Sequence, residues 1–349
     1  MERRARYGIG AILLGVLLAS TDANQTSAAI EKVQISGVLR VQWSDAEGGQ
    51  GRDGFETRFA RVAANFRLDE QLTGRISVEF AGGERAQNAE LLDAYAVWRL
   101  NQHTVVLMGQ QLMPLFYDLR MNLPANDALE RVNVANAYFA GARGRGAYLD
   151  YQLGAGYRVQ VGLWNSLTIN DPQLTGRGGQ ASAMGSLNLR GERPRYQFNL
   201  GGLLGRRPGF QTRDAQNNPV NVPDTQRWLW YVENEFRDFP APRLSLRLTY
   251  LHGRDRNPAG GVSAPQFLTP SDYNATVVYA LYTPRPNHQL VARWEDFDPD
   301  DDRRSDRIRT LGLFYHYFPK QGVRLTAGYE WVDASNGRDR AYLAVQYQF

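Results

Sequence analysis

The lengths of the gaps between its alternating segments, more than the segments themselves, limit what this chain can fold into. Past residue 30, apolar residues recur at every second position, the period of a strand with two unlike faces. Val33, Ile35, Leu39, Val41 and Trp43 share one face, while Gln34, Ser36, Arg40 and Gln42 take the other. Sixteen such segments fall at about 33–43, 55–68, 73–81, 91–100, 104–111, 144–151, 157–164, 181–189, 195–204, 228–236, 243–251, 273–282, 288–297, 307–318, 323–332 and 340–349. Gaps after even-numbered segments are short, as at Asp69–Leu72 and Pro319–Gly322. Those after odd-numbered segments are longer, as at 112–143 and 205–227. Tight turns gathered at one end and long loops at the other are the habit of barrels that cross an outer membrane. A β-sandwich has no reason to sort its loops by parity. The expected fold is therefore all-β, a transmembrane antiparallel β-barrel of sixteen strands with periplasmic termini.

Composition narrows the reading further. The chain of 349 residues has no cysteine, which excludes disulfides, thiol nucleophiles and cysteine-bound metal. Only one continuous apolar run occurs, so a bundle of membrane helices is excluded. A net charge of +4 provides no broad basic field, and no nucleic-acid partner is expected. Of the 40 basic residues only Lys32 and Lys320 are lysine; all the others are arginine.

The two ends carry sorting information. Arg3, Arg4 and Arg6 precede the 12-residue apolar stretch Gly8–Ala19, which is too short to span a bilayer, and small residues follow. Residues 1–29 are expected to be a signal peptide, leaving 30–349 as the barrel domain in the outer membrane. The last segment alternates Ala341, Leu343, Val345, Tyr347 and Phe349 on one face and stops on the aromatic Phe349. It resembles the terminal signature read by the barrel-assembly machinery.

Three stretches, in order, carry a family likeness: 55–68 (FETRFARVAANFRL), Gly109-Gln110-Gln111-Leu112-Met113-Pro114-Leu115, and 127–151 with Glu130-Arg131 and Arg143 to Gly146. Together they resemble the N-terminal half of the phosphate-selective porins of the O and P type, over roughly 100 residues. The resemblance implies a trimeric, anion-selective channel with lumenal arginines and a long loop folded inward to constrict the pore. Here that loop would be 112–143, with Asp127, Glu130, Arg131 and Arg143 in it and few large apolar groups beyond its start. Members specific for phosphate also use a lysine cluster, which this chain lacks.

In a barrel, the polar strand faces look into the lumen. Guanidinium groups there stay charged and present planar forks that match oxyanions. Strand direction puts Arg61, Arg247 and Arg293 near mid-height, Arg75 and Arg158 toward the short-turn mouth, and Arg40 toward the outside. A row of weak anion sites lets an ion enter without trapping it. The competing reading pairs these arginines with lumenal Glu79, Glu233, Glu295 and Glu330. The acidic run 296–302 lacks the turn glycine of a calcium loop, and the four histidines are scattered, so no metal is expected. No nucleophile–base pair suggests an enzyme, and no cofactor is expected. The expected function is a passive channel for small anions, phosphate among them. The alternatives are a weakly selective general diffusion porin and a plugged structural or adhesive barrel.

Overall fold

The computed structural model describes residues 30–46, 54–81, 89–139, 143–166, 183–207, 209–213, 217–222, 224–256, 270–303, 306–334 and 337–349. The expected signal peptide, residues 1–29, lies outside them.

The strands in chain order are β1 (Lys32–Ala46), β2 (Gly54–Arg67), β3 (Leu72–Glu79), β4 (Glu90–Arg99), β5 (Thr104–Leu112), β6 (Arg143–Gly154), β7 (Tyr157–Ser166), β8 (Ala183–Arg193), β9 (Tyr196–Arg207), β10 (Phe210–Arg213), β11 (Pro219–Val222), β12 (Thr225–Phe236), β13 (Leu244–Arg256), β14 (Pro270–Arg285), β15 (His288–Asp298), β16 (Ile308–Lys320), β17 (Val323–Asp333) and β18 (Arg340–Gln348). β10 and β11 pair only with each other, within one of the long connections. The remaining sixteen form one closed antiparallel barrel, sealed by β1 against β18. Closure leaves no strand edge unpaired, which a hydrocarbon environment demands. Every expected segment is present, with its ends shifted by a few residues.

The register places both chain ends at the short-turn end. Lys32 pairs with Arg67 beside the β2–β3 turn, and Gln348 donates its N–H to Gly322 O in the β16–β17 turn. The turn Gly154-Ala155-Gly156 takes φ of +91°, +48° and +82°, which the two glycines adopt without a Cβ clash. Alternation then sorts side chains: Leu163, Leu187, Leu204, Leu343 and Val345 are exposed on the outer surface, while Arg40, Asn188, Glu233 and Arg293 are buried on the inner one.

The molecule's apolar core lies inside the barrel, and this corrects one expectation. The segment between β5 and β6 is far from apolar-poor: Phe116, Leu119, Leu129, Val132, Val134, Tyr138 and Phe139 are all buried. They pack against Tyr231, Leu251, Tyr273, Val277, Tyr279 and Phe314, inward residues of β12 to β16. Tyr138 stacks on Tyr273 with ring centroids 3.8 Å apart. Full burial of a large apolar side chain contributes about 1.5–3 kcal/mol. The segment is therefore held by packing as well as by charge, because that half of the wall turns apolar groups inward.

Candidate pore and inward loop

The inward segment contains two short helices, Tyr117–Arg120 and Asn133–Tyr138, separated by irregular chain. Their first N–H groups have no partner within the helix and must find one elsewhere. Wall carboxylates supply it. Glu233 of β12 accepts from Tyr117 N at 2.7 Å. Glu295 of β15 accepts from Asn133 N at 2.9 Å, Val134 N at 3.1 Å and Asn133 Nδ2 at 2.7 Å. At the other end of the second helix, Arg227 of β12 donates to Tyr138 O at 2.9 Å.

Irregular buried backbone leaves carbonyls that also need donors, and wall arginines provide them. Arg40 donates to Leu129 O at 3.1 Å and to Gln346 Oε1 at 2.6 Å. Arg293 donates to Glu130 O at 2.7 Å and pairs closely with Glu330. Arg324 reaches Pro124 O at 2.9 Å and Asn126 O at 3.0 Å. His316 Nε2 donates to Asp127 O at 2.7 Å, leaving Nδ1 to accept from the Thr326 hydroxyl at 2.8 Å.

The remaining sequence candidates divide by what they touch. Arg61 pairs with Glu79 at 3.1 Å and donates to Asn122 Oδ1. Arg247 bridges Glu235 at 2.9 Å and Asp127 at 3.0 Å, with its guanidinium 3.4 Å over the Tyr117 ring. Asp127 also accepts from the Tyr117 hydroxyl at 2.6 Å. Asp93 is shared by Arg75 at 3.3 Å and Arg143 at 2.8 Å. Arg158 meets Asp150 at 3.3 Å near the short-turn mouth and is half-exposed. Arg131 donates to Met121 O at 3.0 Å, and burial lowers its pKa to about 10. Glu130 pairs with Arg58 at 2.7 Å. Burial alone would raise the Glu130 carboxyl, but the charges of Arg58 and Arg40 and the hydrogen bonds from Arg58 and Gln42 together hold the group below its ordinary value.

Arg40 and Arg293 thus lie sealed beneath the loop, with their charges turned toward protein partners. Open space begins below them. A cavity of about 770 Å³ at the short-turn end is lined by Arg75, Arg120, Arg190, Arg237 and Arg247, facing Asp93, Asp127 and Glu235. Arg190 and Arg237 were not among the sequence candidates. Arg190 shares the parity of inward Ser186 and Asn188 on β8, so alternation already held that signal. Arg58 was masked differently. The β1–β2 register passes from Arg40 opposite Phe59 to Val41 opposite Thr57, skipping Arg58. A bulge of this kind re-aims one side chain against the local alternation. Among the described residues, no group of three or more histidine, aspartate or glutamate side chains could hold a metal ion.

This fold is that of the outer-membrane porins. The chain superimposes on OmpT of Vibrio cholerae in its trimer form with a TM-score of 0.68 at 12% identity, covering 91% of this chain and 99% of that one. An anion-selective porin from Comamonas acidovorans gives 0.64 at 12% identity, covering 91% and 99%. The outer membrane channel DcaP of Acinetobacter baumannii gives 0.63 at 14% identity, covering 91% and 97%. Identities this low establish a shared fold and leave function to be argued from the residues. No family model matches the chain, and no curated protein matches it in sequence.

Proposed function

We infer that this protein is a passive outer-membrane channel for small anions, phosphate within that class, working as a homotrimer. The reading rests on the charge balance of the open cavity, whose wall carries five arginines against three carboxylates. Each carboxylate there already accepts from an arginine, so a passing cation finds no free acid while an anion finds spare donors. The inward loop would set the narrowest passage. The trimer form of the Vibrio protein and the anion selectivity of the Comamonas porin support the same view by analogy of fold. Export through residues 1–29 and assembly through Phe349 belong to this reading.

The pairing of Arg40, Arg61, Arg247 and Arg293 favours a second reading, a general diffusion porin with weak selectivity. One measurement separates them: the reversal potential of the purified protein across a salt gradient. A clear anion preference at low salt supports the first, a value near zero the second, and cation preference excludes both. A protein that conducts nothing would be a plugged barrel.

A further inference from the structure

We propose that the cavity at the short-turn end is a binding site for a hydroxylated organic anion, a sugar acid or sugar phosphate, docked by its oxyanion on Arg190. This rests on the anion reading above and adds a substrate class to it.

Three observations converge. The first is the state of Arg190. Other arginines of the wall sit close to carboxylates: Arg75 to Asp93, Arg120 to Glu233 at 2.6 Å, Arg237 to Glu235 at 2.8 Å, and Arg247 to Asp127 and Glu235. Among the described residues Arg190 meets Glu192 at 3.5 Å and the Gln197 Oε1 at 3.2 Å, an oxygen it shares with Arg237. Its Nε is buried without a hydrogen-bond partner among the described residues. Leaving a buried donor unpaired is costly, most of all in a charged group. The Arg190 side chain is about one-third exposed, so an oxyanion in the cavity can accept from its open N–H groups. Arg120, whose charge acts on Arg190, adds a second positive group on the same side.

The second observation is the rest of the wall. Asn122, Gln160, Ser245, Thr283 and Gln289 line the space with amides and hydroxyls, of which Asn122 Oδ1 and Gln160 Nε2 already bond to Arg61 and Asp150. An amide offers both donors and an acceptor, and so satisfies a hydroxyl whichever way it points. A bare inorganic anion accepts only, and would use the donor half of that wall. Tyr95, Tyr117 and Tyr148 contribute ring surface, which suits the C–H faces of a carbon body.

The third is size. A volume of about 770 Å³ falls among cavities that hold small organic molecules. A phosphate ion would touch only a small part of it. Asp127 and Glu235 are matched by Arg247 and Arg237 together, so the wall presents no free acid to the body of an anion held at Arg190.

The test uses the purified full-length protein in planar bilayers. Gluconate, glucose 6-phosphate, inorganic phosphate and glucose are added in turn, and ligand-induced interruption of the current is recorded. At least one of the two sugar anions should act at a concentration tenfold or more below those needed with phosphate or glucose. Gluconate alone would mark a carboxylate site, and glucose 6-phosphate alone a phosphate-ester site. R190Q should weaken the effective anion about tenfold or more, while R190K, which keeps the charge, should fall between. Calorimetric titration of the same four compounds gives the same ranking independently of conduction and of folding defects in a variant. Phosphate or glucose acting as strongly as both sugar anions overturns the proposal, as does a folded R190Q equal to wild type. Reversal potentials from the same bilayers distinguish the two levels: cation preference removes the anion reading, whereas anion preference without the ranking removes this inference alone.

Discussion

Glu295 on β15 accepts the backbone N–H of Asn133, at 2.9 Å, from the first turn of a helix that belongs to a different part of the chain. Glu233 does the same for Tyr117 at the other short helix. Two wall carboxylates thus bind the loop by its backbone, and each also takes a loop side chain, Glu295 from Asn133 Nδ2 and Glu233 from Arg120. Hydrogen bonds to charged groups contribute about 1.5–3 kcal/mol each. The double variant E233Q/E295Q should loosen the loop while leaving the barrel closed. Single-channel traces should show frequent switching between conductance levels where the wild type shows one. Steady traces from the double variant would mean that apolar packing alone fixes the loop.

Excision of residues 118–136 should have two effects. Conductance should rise severalfold, because the narrowest stretch dominates the resistance of a short pore. Thermal resistance of the barrel in detergent should fall, since Leu119, Leu129, Val132 and Val134 leave the core with the excised stretch. Unchanged conductance places the constriction elsewhere, and an unchanged melting temperature denies the loop its part in the core.

Arg293 and Glu330 form a pair in which both side chains are 2% exposed. Removing one partner of such a pair costs roughly 3–5 kcal/mol, because the other charge is left buried. R293Q should therefore lower the unfolding midpoint strongly, and R293Q/E330Q should restore much of it. If the double variant is no better than the single one, the loss comes from the bond to Glu130 O instead.

Acid should act on the loop through Glu130. Its folded pKa lies below the ordinary value of 4.5, with burial opposing and the combined action of Arg58, Arg40 and Gln42 prevailing. A lowered carboxyl pKa stabilises fully above the unfolded value, and the stabilisation disappears as pH falls through the folded one. Conductance should hold steady down to about that ordinary value and become noisy below it. R58Q should carry the noise to higher pH. A wild-type onset near neutrality would point to another group.

The β1–β18 seam ends where Phe349 N donates to Gly37 O at 3.2 Å and Gly37 N to Phe349 O at 2.9 Å. Deleting Phe349 removes both bonds and the terminal aromatic together. The truncated protein should accumulate in the periplasm as degradable material, measured by fractionation. Normal outer-membrane levels would show that the last residue is dispensable for assembly.

The barrel was legible because loop length and alternation are both properties of single segments, readable without knowing their neighbours. What lay inside was less so. The helices Tyr117–Arg120 and Asn133–Tyr138 are too short to display a 3.6-residue period, and the β10–β11 hairpin is too short to display a 2-residue one. Arg58 faces Glu130 only because a bulge breaks parity. One internal signal was available. Ala275–Tyr282 (ATVVYALY) is apolar almost without alternation, the pattern of a strand covered on both faces. Read that way, it points to an apolar partner inside the barrel. Which arginines meet carboxylates and which meet cavity depends on the loop's path, and no local pattern records that.

The tyrosine-rich inner face of β14 has a consequence for how this chain can change. Its outer residues need only dissolve in lipid, so one aliphatic side chain there can replace another at little cost. Tyr273, Val277 and Tyr279 instead fit against particular atoms of the loop, and a change in one calls for a matching change across the gap. A single strand therefore lives under two regimes of substitution, alternating residue by residue. Drift should run fast at the outer positions only, with the inner ones moving in step with residues 113–139.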